Sequence, residues 1–341
     1  MRVKIDALDT LSFGLGKPSV WGEDTFGAGM FPPYPSVVRG AVRTISLSEN
    51  GNFDVANTAD DPTMAYKLTA YALLINGEPH FPVPADYVLG NDGKSLMPCE
   101  LQSNDGLSSL ETPYQLWVNT DGKIASAEKR YISLESIQSY LKAEIITDSI
   151  LLADYITLES RIGIYKGRET KTVRQGMLYR SPLTRTENEN GEKLSIIAHI
   201  DGAEKVDGIV RFGSKGKIAH VSKYDGNVSP DGMIDKNEQF KIYLATPAIF
   251  KDGCLPQLPL RAKLLTAAVY GYESAGGFDI KKKRPKPMHR AVRAGSVYYY
   301  ELAENTQENR DAVLALHGKS ISDYSRDDGF GICYIGKIKE D

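Results

Sequence analysis

The distribution of apolar and polar positions at the start of the chain predicts a strand, a loop and a helix. Residues 1–13 (MRVKIDALDTLSF) alternate between apolar and polar side chains, which is typical of a strand with one buried face. A glycine-rich stretch at 14–29 (GLGKPSVWGEDTFGAG) then predicts a loop. Apolar residues recur at helical spacing over 37–45, and Pro35 suits the first turn because its missing N–H is not needed there.

The middle of the chain contains three further patterned segments. Residues 63–77 predict a helix or a pair of strands that ends at the turn dipeptide Asn76-Gly77. Residues 132–147 (ISLESIQSYLKAEIIT) predict an amphipathic helix. Residues 156–185 are rich in β-branched and aromatic residues and in glycine, which favours a long hairpin.

In the second half of the chain, the predicted order is strand, helix, strand, helix, strand. Strands are predicted at 240–250, 295–304 and 328–338, and helices at 258–274 and 306–318. A polar stretch at 225–238 predicts a linker before them. We therefore expect an α+β protein with two domains, 1–230 and 235–341.

Cysteine use and hydropathy narrow the class of protein. The 341 residues include three cysteines, Cys99, Cys254 and Cys333, without a CxxC spacing, so neither a disulfide framework nor a structural zinc site is indicated. The first residues lack the apolar core of a signal peptide, and no apolar run approaches the length of a membrane span. We expect a cytoplasmic protein that does not contact membranes.

The positive charge of the chain is concentrated in two segments. Residues 161–185 carry seven lysines and arginines against one acid, and residues 281–293 carry seven with no acid. Because the formal net charge of the whole chain is −3, the remaining residues are acidic overall. Like charges that lie close together repel one another, and a bound anionic partner relieves that repulsion.

Both basic segments also contain rings that are able to stack on bases. Tyr165 and Tyr179 lie in the first segment, and His289 lies in the second. Cations that follow phosphates, combined with rings that stack on unpaired bases, are typical of single-stranded RNA binding. Arg39 and Arg43 would add charge to the helix after the glycine-rich loop, whose N-terminal end attracts anions. Docking of an acidic protein partner onto these segments stays open as an alternative.

The sequence contains no recognisable catalytic or metal-binding motif. Its five histidines show neither HxH nor HExxH spacing, and the GxSxG, P-loop and paired-carboxylate signatures are absent. We therefore expect no metal, no cofactor and no catalytic activity. His289 in its basic loop leaves one alternative open, which is a general base for RNA cleavage.

Stretches spread along the whole chain together resemble a known family. They are 8–24 (LDTLSFGLGKPSVWGED) with 31–43 (FPPYPSVVRGAVR), 161–180 (RIGIYKGRETKTVRQGMLYR), 276–300 (GGFDIKKKRPKPMHRAVRAGSVYYY) and 329–338 (GFGICYIGKI). This succession resembles the RAMP-superfamily subunit of type III-B CRISPR (Cmr-type) effector complexes. Members of that family sit at the foot of the complex and help to hold the 5′ handle of the guide RNA.

The resemblance implies two ferredoxin-like (RRM-like) domains with long hairpin and glycine-rich loop insertions, and no nuclease activity. It implies the guide RNA (crRNA) as a partner, with the hairpin at 161–180 reaching over it near the handle. The implied protein partners are the large polymerase-like subunit and the backbone RAMP subunit of the complex. Two alternatives stay open: a RAMP-type endoribonuclease that processes precursor guide RNA, and the counterpart subunit of type III-A complexes.

The basic segments and the resemblance together define the expected RNA-binding residues. Among them, phosphate contacts would position the RNA, whereas contacts to unstacked bases would specify its sequence. The expected residues are Arg39, Arg43, Arg161, Lys166, Arg168, Lys171, Arg174, Tyr179, Lys281, Lys282, Lys283, Arg284, Lys286, His289, Arg290 and Arg293.

Overall fold

The computed structural model describes most of the chain. The described residues are 1–14, 29–49, 51, 53–104, 106, 111–167, 169–170, 172–232, 239–279 and 284–339, with the backbone alone at 165, 166, 173–179, 278 and 279. Most of the glycine-rich loop and part of the predicted linker lie outside these ranges. So do five expected RNA contacts, namely Arg168, Lys171, Lys281, Lys282 and Lys283.

The strands of the first half form mainly one large antiparallel sheet. In chain order they are β1 (Arg2–Ala7), β2 (Lys67–Ile75), β3 (Glu78–Pro82), β4 (Tyr87–Leu89), β5 (Leu96–Pro98), β6 (Glu100–Ser103), β7 (Tyr114–Trp117), β8 (Ala125–Ser126), β9 (Arg130–Ser133), β10 (Ile150–Leu151), β11 (Thr157–Lys166), β12 (Val173–Arg185), β13 (Leu194–Asp201), β14 (Gly208–Arg211) and β15 (Ile218–Lys223). The large sheet has the order β10-β9-β3-β2-β13-β1-β15-β14. The predicted first strand is thus confirmed as β1, an interior strand of this sheet between β13 and β15.

The turn residues Asn76 and Gly77 decide the structure of residues 63–77, for which the sequence allowed either a helix or a pair of strands. β2 and β3 pair across the Asn76-Gly77 turn, where φ is 51° and 82°. An Asn-Gly hairpin turn requires positive φ at both positions, and these two residue types adopt it readily. The strand-pair alternative is therefore confirmed, and the helix alternative is wrong.

Helices cover a small part of the described chain. They are α1 (Pro35–Glu49), α2 (Leu134–Leu141) and α3 (Gln307–Leu314), with 3₁₀ turns at Pro62–Ala65 and Leu152–Tyr155. α1 begins at Pro35 as predicted and buries Val38, Val42 and Ile45, packing against β2 and β14. α2 is shorter than predicted, because the chain adopts a positive φ of 66° at Ala143, which does not continue a helix.

The strands of the second half form a separate five-stranded sheet and smaller hairpins. They are β16 (Gln239–Leu244), β17 (Ala262–Ala268), β18 (Tyr272–Ala275), β19 (Phe278–Asp279), β20 (Arg284–Pro285), β21 (His289–Val292), β22 (Val297–Leu302), β23 (Lys319–Ser320) and β24 (Ile332–Lys337). The sheet order is β17-β22-β16-β24-β23. Both faces of this sheet are covered: Tyr243 packs in the core of the large sheet, whereas Ile242 packs in a second core beneath α3.

The helix predicted at 258–274 is wrong. This segment contains β17 and β18 instead, and β17 pairs with β22 from Ala262 opposite Leu302 to Ala268 opposite Val297. Alanine, leucine, lysine and arginine favour helices, but propensity is a weak prior that sheet pairing overrides. The second helix predicted in this half, at 306–318, is present as α3, and the predicted strands are present as β16, β22 and β24.

The α+β class is confirmed, with mostly antiparallel sheets and few helices in the described ranges. The finer expectation of two ferredoxin-like domains at 1–230 and 235–341 stays a prediction. The strands divide between the two large sheets at 223–239, while one hydrophobic core joins both sheets. In the part of the chain that the structure describes, no helix is both long and apolar enough to cross a membrane.

Candidate nucleic-acid interface

The predicted long hairpin is present and is fixed at its base. β11 and β12 pair from Thr157 opposite Arg185 to Lys166 opposite Val173. The N–H of Leu11 donates to the carbonyl oxygen of Thr184 at 2.7 Å, and the N–H of Thr184 donates back at 2.9 Å. These bonds tie the hairpin to the segment after β1, because a two-stranded ribbon alone is marginally stable.

The cations of the hairpin have different surroundings. Arg161 is exposed. The Nε of Arg185 donates to Oε1 of Glu159 at 2.7 Å, diagonally across the ladder, since the residue directly opposite Arg185 is Thr157. For Lys166, Arg174 and Tyr179 only the backbone is described, and it runs within the paired strands.

The second basic segment forms an exposed surface around β20 and β21. Arg284, Lys286 and Arg290 are exposed, and His289 is half-buried. β21 pairs with β18, with His289 opposite Ala275 and Arg290 opposite Ser274. Since neighbouring residues of a strand face opposite sides, His289 and Arg290 lie on the two faces of this hairpin.

Two tyrosines that sequence reasoning missed lie against these side chains. The guanidinium carbon of Arg290 lies 4.9 Å from the centre of the Tyr272 ring. The His289 and Tyr324 rings are stacked, with 4.9 Å between their centres. Tyr272 is 56% exposed and Tyr324 is 41% exposed, so both rings present area to solvent. Exposed rings beside cations suit the stacking of unpaired bases.

A cleft of about 560 Å³ is lined by segments that lie far apart in the sequence. Its walls come from residues 29–35, from the hairpin base at Leu158, Pro182 and Thr184, and from the segment that carries Arg293. Tyr34, Tyr71, Tyr131 and Tyr270 add aromatic surface. The hairpin and the second basic segment therefore share one cleft, although they lie more than a hundred positions apart in sequence.

Arg293 is the expected RNA contact that lies in this cleft. Its Nη1 donates to Oε1 of Glu128, and the side chain remains 37% exposed. Burial raises the pKa of the neighbouring Glu273, and the Arg293 guanidinium opposes that shift. Burial also raises the pKa of Tyr34, whose hydroxyl donates to the Ser274 carbonyl oxygen at 3.0 Å. The cleft thus combines a partly exposed guanidinium with protonated tyrosine hydroxyls.

Backbone geometry explains one glycine beside this cleft. Gly295 has a φ of 87°, and an added Cβ would lie 2.7 Å from the carbonyl oxygen of Val83. Its own carbonyl accepts a hydrogen bond of 2.8 Å from the N–H of Ala85. A side chain at position 295 would push apart the two halves of the chain where Arg293 enters the cleft.

Arg39 and Arg43 serve the fold in this structure. Arg39 is 8% exposed, and its Nη1 donates to Oδ1 of Asp328 at 2.8 Å. The Nη2 of Arg43 donates to Oδ2 of the buried Asp61 at 2.6 Å. Although burial raises the pKa of Asp61, hydrogen bonds from Thr63, the Asn57 N–H and Arg43 lower it to about 2. RNA contact at these two arginines stays a prediction that this geometry does not favour.

The expected residues are thus only partly brought together. Arg293 lines the cleft, whereas Arg161, Arg284, Lys286, His289 and Arg290 are not among its lining residues. Of these, Arg161 lies on β11, which contributes Leu158 to the cleft, and Arg290 lies on β21, which ends directly before Arg293. In the described ranges, no group of three or more histidine, cysteine or acidic side chains is arranged to hold a metal ion.

Comparisons with known proteins give one family and several structural matches. A family model described as CRISPR-associated protein (Cas_Cmr3) matches residues 3–338. Two matched chains come from cryo-EM structures of the type III-B Cmr-beta bound to cognate target RNA, one of them also with AMPPnP. Each is 18% identical and covers 88% of this chain and 86% of that chain, with TM-scores of 0.52 and 0.53. Comparison with curated proteins gives no match.

A further solved structure is less similar. It is a crystal structure of the Csm3-Csm4 subcomplex of the type III-A CRISPR-Cas interference complex, 11% identical, with a TM-score of 0.40. It covers 87% of this chain and 92% of that chain.

Proposed function

Because the chain belongs to the CRISPR-associated Cas_Cmr3 family, we propose that it is a non-catalytic subunit that binds the 5′ handle of the guide RNA in a type III-B effector complex for antiviral defence. The guide RNA, the large polymerase-like subunit and the backbone RAMP subunit are its proposed partners. The variable part of the guide would be read by base pairing and not by this chain.

One observation carries this proposal: the hairpin base and the segment of Arg293 line the same aromatic-walled cleft. The two basic segments were the reason for expecting RNA, and a binding surface requires that they border a common space. The exposed Arg161 lies on β11, which lines this cleft at Leu158, and the exposed Arg290 lies on β21, which ends directly before Arg293. Phosphates would follow these cations, and an unstacked base would lie against tyrosine rings such as Tyr272.

The surroundings of His289, the residue that could have been a general base for RNA cleavage, support a non-catalytic role. The ring of His289 is half-buried and stacked on Tyr324, and this arrangement favours a contribution to a stacking surface. Stacking involves the face of the ring, so the ring nitrogens remain available for hydrogen bonds to a phosphate or a base. We therefore propose that His289 binds RNA and does not cleave it.

A salt titration tests the RNA-binding role. The purified chain is mixed with guide RNA that carries the 5′ handle and with RNA of equal length that lacks it. We expect tighter binding of the handle RNA, and a log affinity that falls with log salt by about 0.7 for each phosphate contact to a single strand. Equal affinity for both RNAs, or affinity that does not change with salt, would contradict the proposal.

Two further readouts test the other parts of the proposal. The bound RNA should remain intact during incubation; specific cleavage that is lost in His289→Ala would show instead that the chain is an endoribonuclease. Partner subunits should be released when the assembled complex is treated with a nuclease that reaches the handle. Complete retention of the partners, together with no RNA affinity, would show that the basic segments dock protein.

A further inference from the structure

A second cavity of about 560 Å³ lies where the two halves of the chain meet, and it shares no lining residue with the cleft of the candidate nucleic-acid interface. From the first half it is lined by Asp86, residues 98–101 and Tyr140, and from the second half by Lys241 and Tyr299. Ligand pockets commonly have volumes of roughly 300–1,000 Å³ and form where two units of a chain meet. We refer to it as the junction cavity.

Asp86 gives the junction cavity an unsatisfied acceptor. The residue is 2% exposed, and its Oδ2 accepts hydrogen bonds from the hydroxyls of Tyr140 at 2.7 Å and Tyr299 at 2.5 Å. Its Oδ1 is buried and has no hydrogen-bond partner among the described residues. A buried carboxylate oxygen without a donor is unfavourable, so this atom marks a place for a donor group.

Lys241 gives the same cavity an unsatisfied donor. It lies on β16, is 5% exposed, and its Nζ is 3.4 Å from the centre of the Tyr140 ring. Within the described ranges its Nζ donates no hydrogen bond and lies in no ion pair. Burial lowers the pKa of Lys241 to about 8, and Asp86 opposes that shift, so the ammonium form still predominates at neutral pH. A buried ammonium without an acceptor is as unfavourable as a carboxylate without a donor.

These two groups define the chemistry of a ligand that would suit the junction cavity. A molecule that satisfies both must carry a donor, preferably cationic, for Asp86 and an anionic acceptor for Lys241. The α-ammonium and α-carboxylate of an amino acid are such a pair. Glu100, Glu144 and Glu301 also line the cavity, against Lys339 as the other lining cation. This acidic lining disfavours phosphorylated ligands and attracts a second positive charge.

We propose that the junction cavity binds a basic α-amino acid of the arginine type, with its carboxylate on Nζ of Lys241 and its amino nitrogen on Oδ1 of Asp86. The cationic side chain extends towards Glu100, Glu144 and Glu301. The ring of Tyr140, which already lies against the Lys241 ammonium, forms part of the wall. The same chemistry is available from a free amino acid or from a C-terminal arginine of a peptide chain.

Calorimetric titration of the purified full-length chain tests the proposal without any substitution. L-arginine is compared with agmatine, which lacks the carboxylate, and with Nα-acetyl-L-arginine, which mimics a C-terminal residue. We expect L-arginine or its acetyl derivative to bind at least about tenfold more tightly than agmatine, because a charge-assisted hydrogen bond to Lys241 is lost in agmatine. Tighter binding of the acetyl derivative identifies a chain terminus as the source, and tighter binding of arginine identifies the free amino acid.

A variant locates the site. Lys241→Met should remove the preference for arginine over agmatine, whereas Lys319→Met, at an exposed lysine outside the cavity, should leave it unchanged. Circular dichroism establishes that both variants are folded. If the folded wild-type chain binds no arginine up to about 10 mM, a level that saturates a site of millimolar affinity, the cavity holds water only and the proposal is overturned. Equal binding of agmatine, or an unaltered preference in folded Lys241→Met, overturns it as well.

This inference is independent of the RNA-binding role. RNA affinity measured on the same samples should be the same with and without arginine, since the two cavities have no lining residue in common. Loss of RNA binding by the wild-type chain would contradict the proposed function alone. Loss of arginine selectivity would contradict the junction cavity alone.

Discussion

Arg39 and Arg43 on α1 lie inside the molecule with carboxylate partners, whereas Arg284 and Arg290 lie on its surface, the latter against an aromatic ring. All four occur in sequence stretches that suggested a bound anion. The difference lies in what surrounds each guanidinium: Asp328 reaches Arg39 from 289 positions away. A cation near a glycine-rich loop is therefore no evidence for a ligand until its intramolecular partners are known.

The largest expected effect is on the free energy of unfolding, which should depend on the buried arginines of α1 and not on the surface arginines. Arg39→Ala should lower the free energy of unfolding by about 3–5 kcal/mol, because it leaves Asp328 unpaired and the Tyr66 carbonyl without its donor. Arg290→Ala should change it by less than about 0.5 kcal/mol, since it is a surface substitution. Urea unfolding of both variants measures this contrast. Similar values for the two variants would show that the burial of Arg39 does not decide its role.

The second prediction compares the same groups by RNA affinity. The triple variant Arg284→Glu, Lys286→Glu, Arg290→Glu should bind handle RNA about 100-fold more weakly at about 0.1 M salt. Each phosphate contact to a single strand contributes about 0.7 to the slope of log affinity against log salt. Three such contacts strengthen binding by about 100-fold between 1 M and 0.1 M salt, and the variant loses this gain. Fluorescence anisotropy across a salt series measures both the affinity and the slope.

The matched control reverses three exposed lysines elsewhere, Lys205, Lys251 and Lys319. This control changes the net charge by the same amount and should weaken binding far less. Equal weakening by the two triple variants would mean that overall charge, and not the surface around β21, governs the affinity.

The third prediction concerns the pH dependence of the interior pair. The pKa of Asp61 is lowered from 3.8 to about 2, so its contribution is present above pH 4 and is lost as pH falls through 2. A shift of about two units corresponds to roughly 2.5 kcal/mol. The difference in unfolding free energy between the wild type and Asp61→Asn should therefore be smaller at pH 2.5 than at pH 5. A constant difference between them over this range would contradict the assignment.

The elements that were predicted correctly carry strong local signals. Pro35 marks the start of α1, Asn76-Gly77 marks the turn between β2 and β3, and β-branched residues mark β11 and β12. The segment at 258–274 failed because its composition favours a helix while its position beside β22 requires a strand. Pairing between distant strands is not encoded in a window of local residues, so no local pattern would have corrected this error.

The sequence predicted which segments of the candidate site are basic, but not how these segments are arranged in space. The two basic segments are visible in the sequence, but their approach to one cleft depends on how β11, β12 and β21 are placed by two different sheets. Tyr272 was missed because it falls in the segment assigned to a helix. Tyr324 was missed because it meets His289 only through the tertiary fold. The inward-facing Lys241, in a strand that is otherwise largely apolar, was the one local signal of the junction cavity.

The smallest expected effect is on RNA affinity, and it tests whether Tyr272 contributes to binding together with Arg290 beside it. Tyr272→Ala should weaken binding of handle RNA by about 1–2 kcal/mol, the lower part of the range of about 1–3 kcal/mol for one base-stacking contact, and should leave the salt slope unchanged. Phe53→Ala is the matched control, because Phe53 is 53% exposed and lies near the end of α1, on a different part of the surface. If Tyr272→Ala reduces the slope, the ring acts by holding Arg290 against a phosphate. If it changes neither quantity, the Arg290–Tyr272 pair lies outside the RNA path, and the interface must be centred on Arg293 in the cleft.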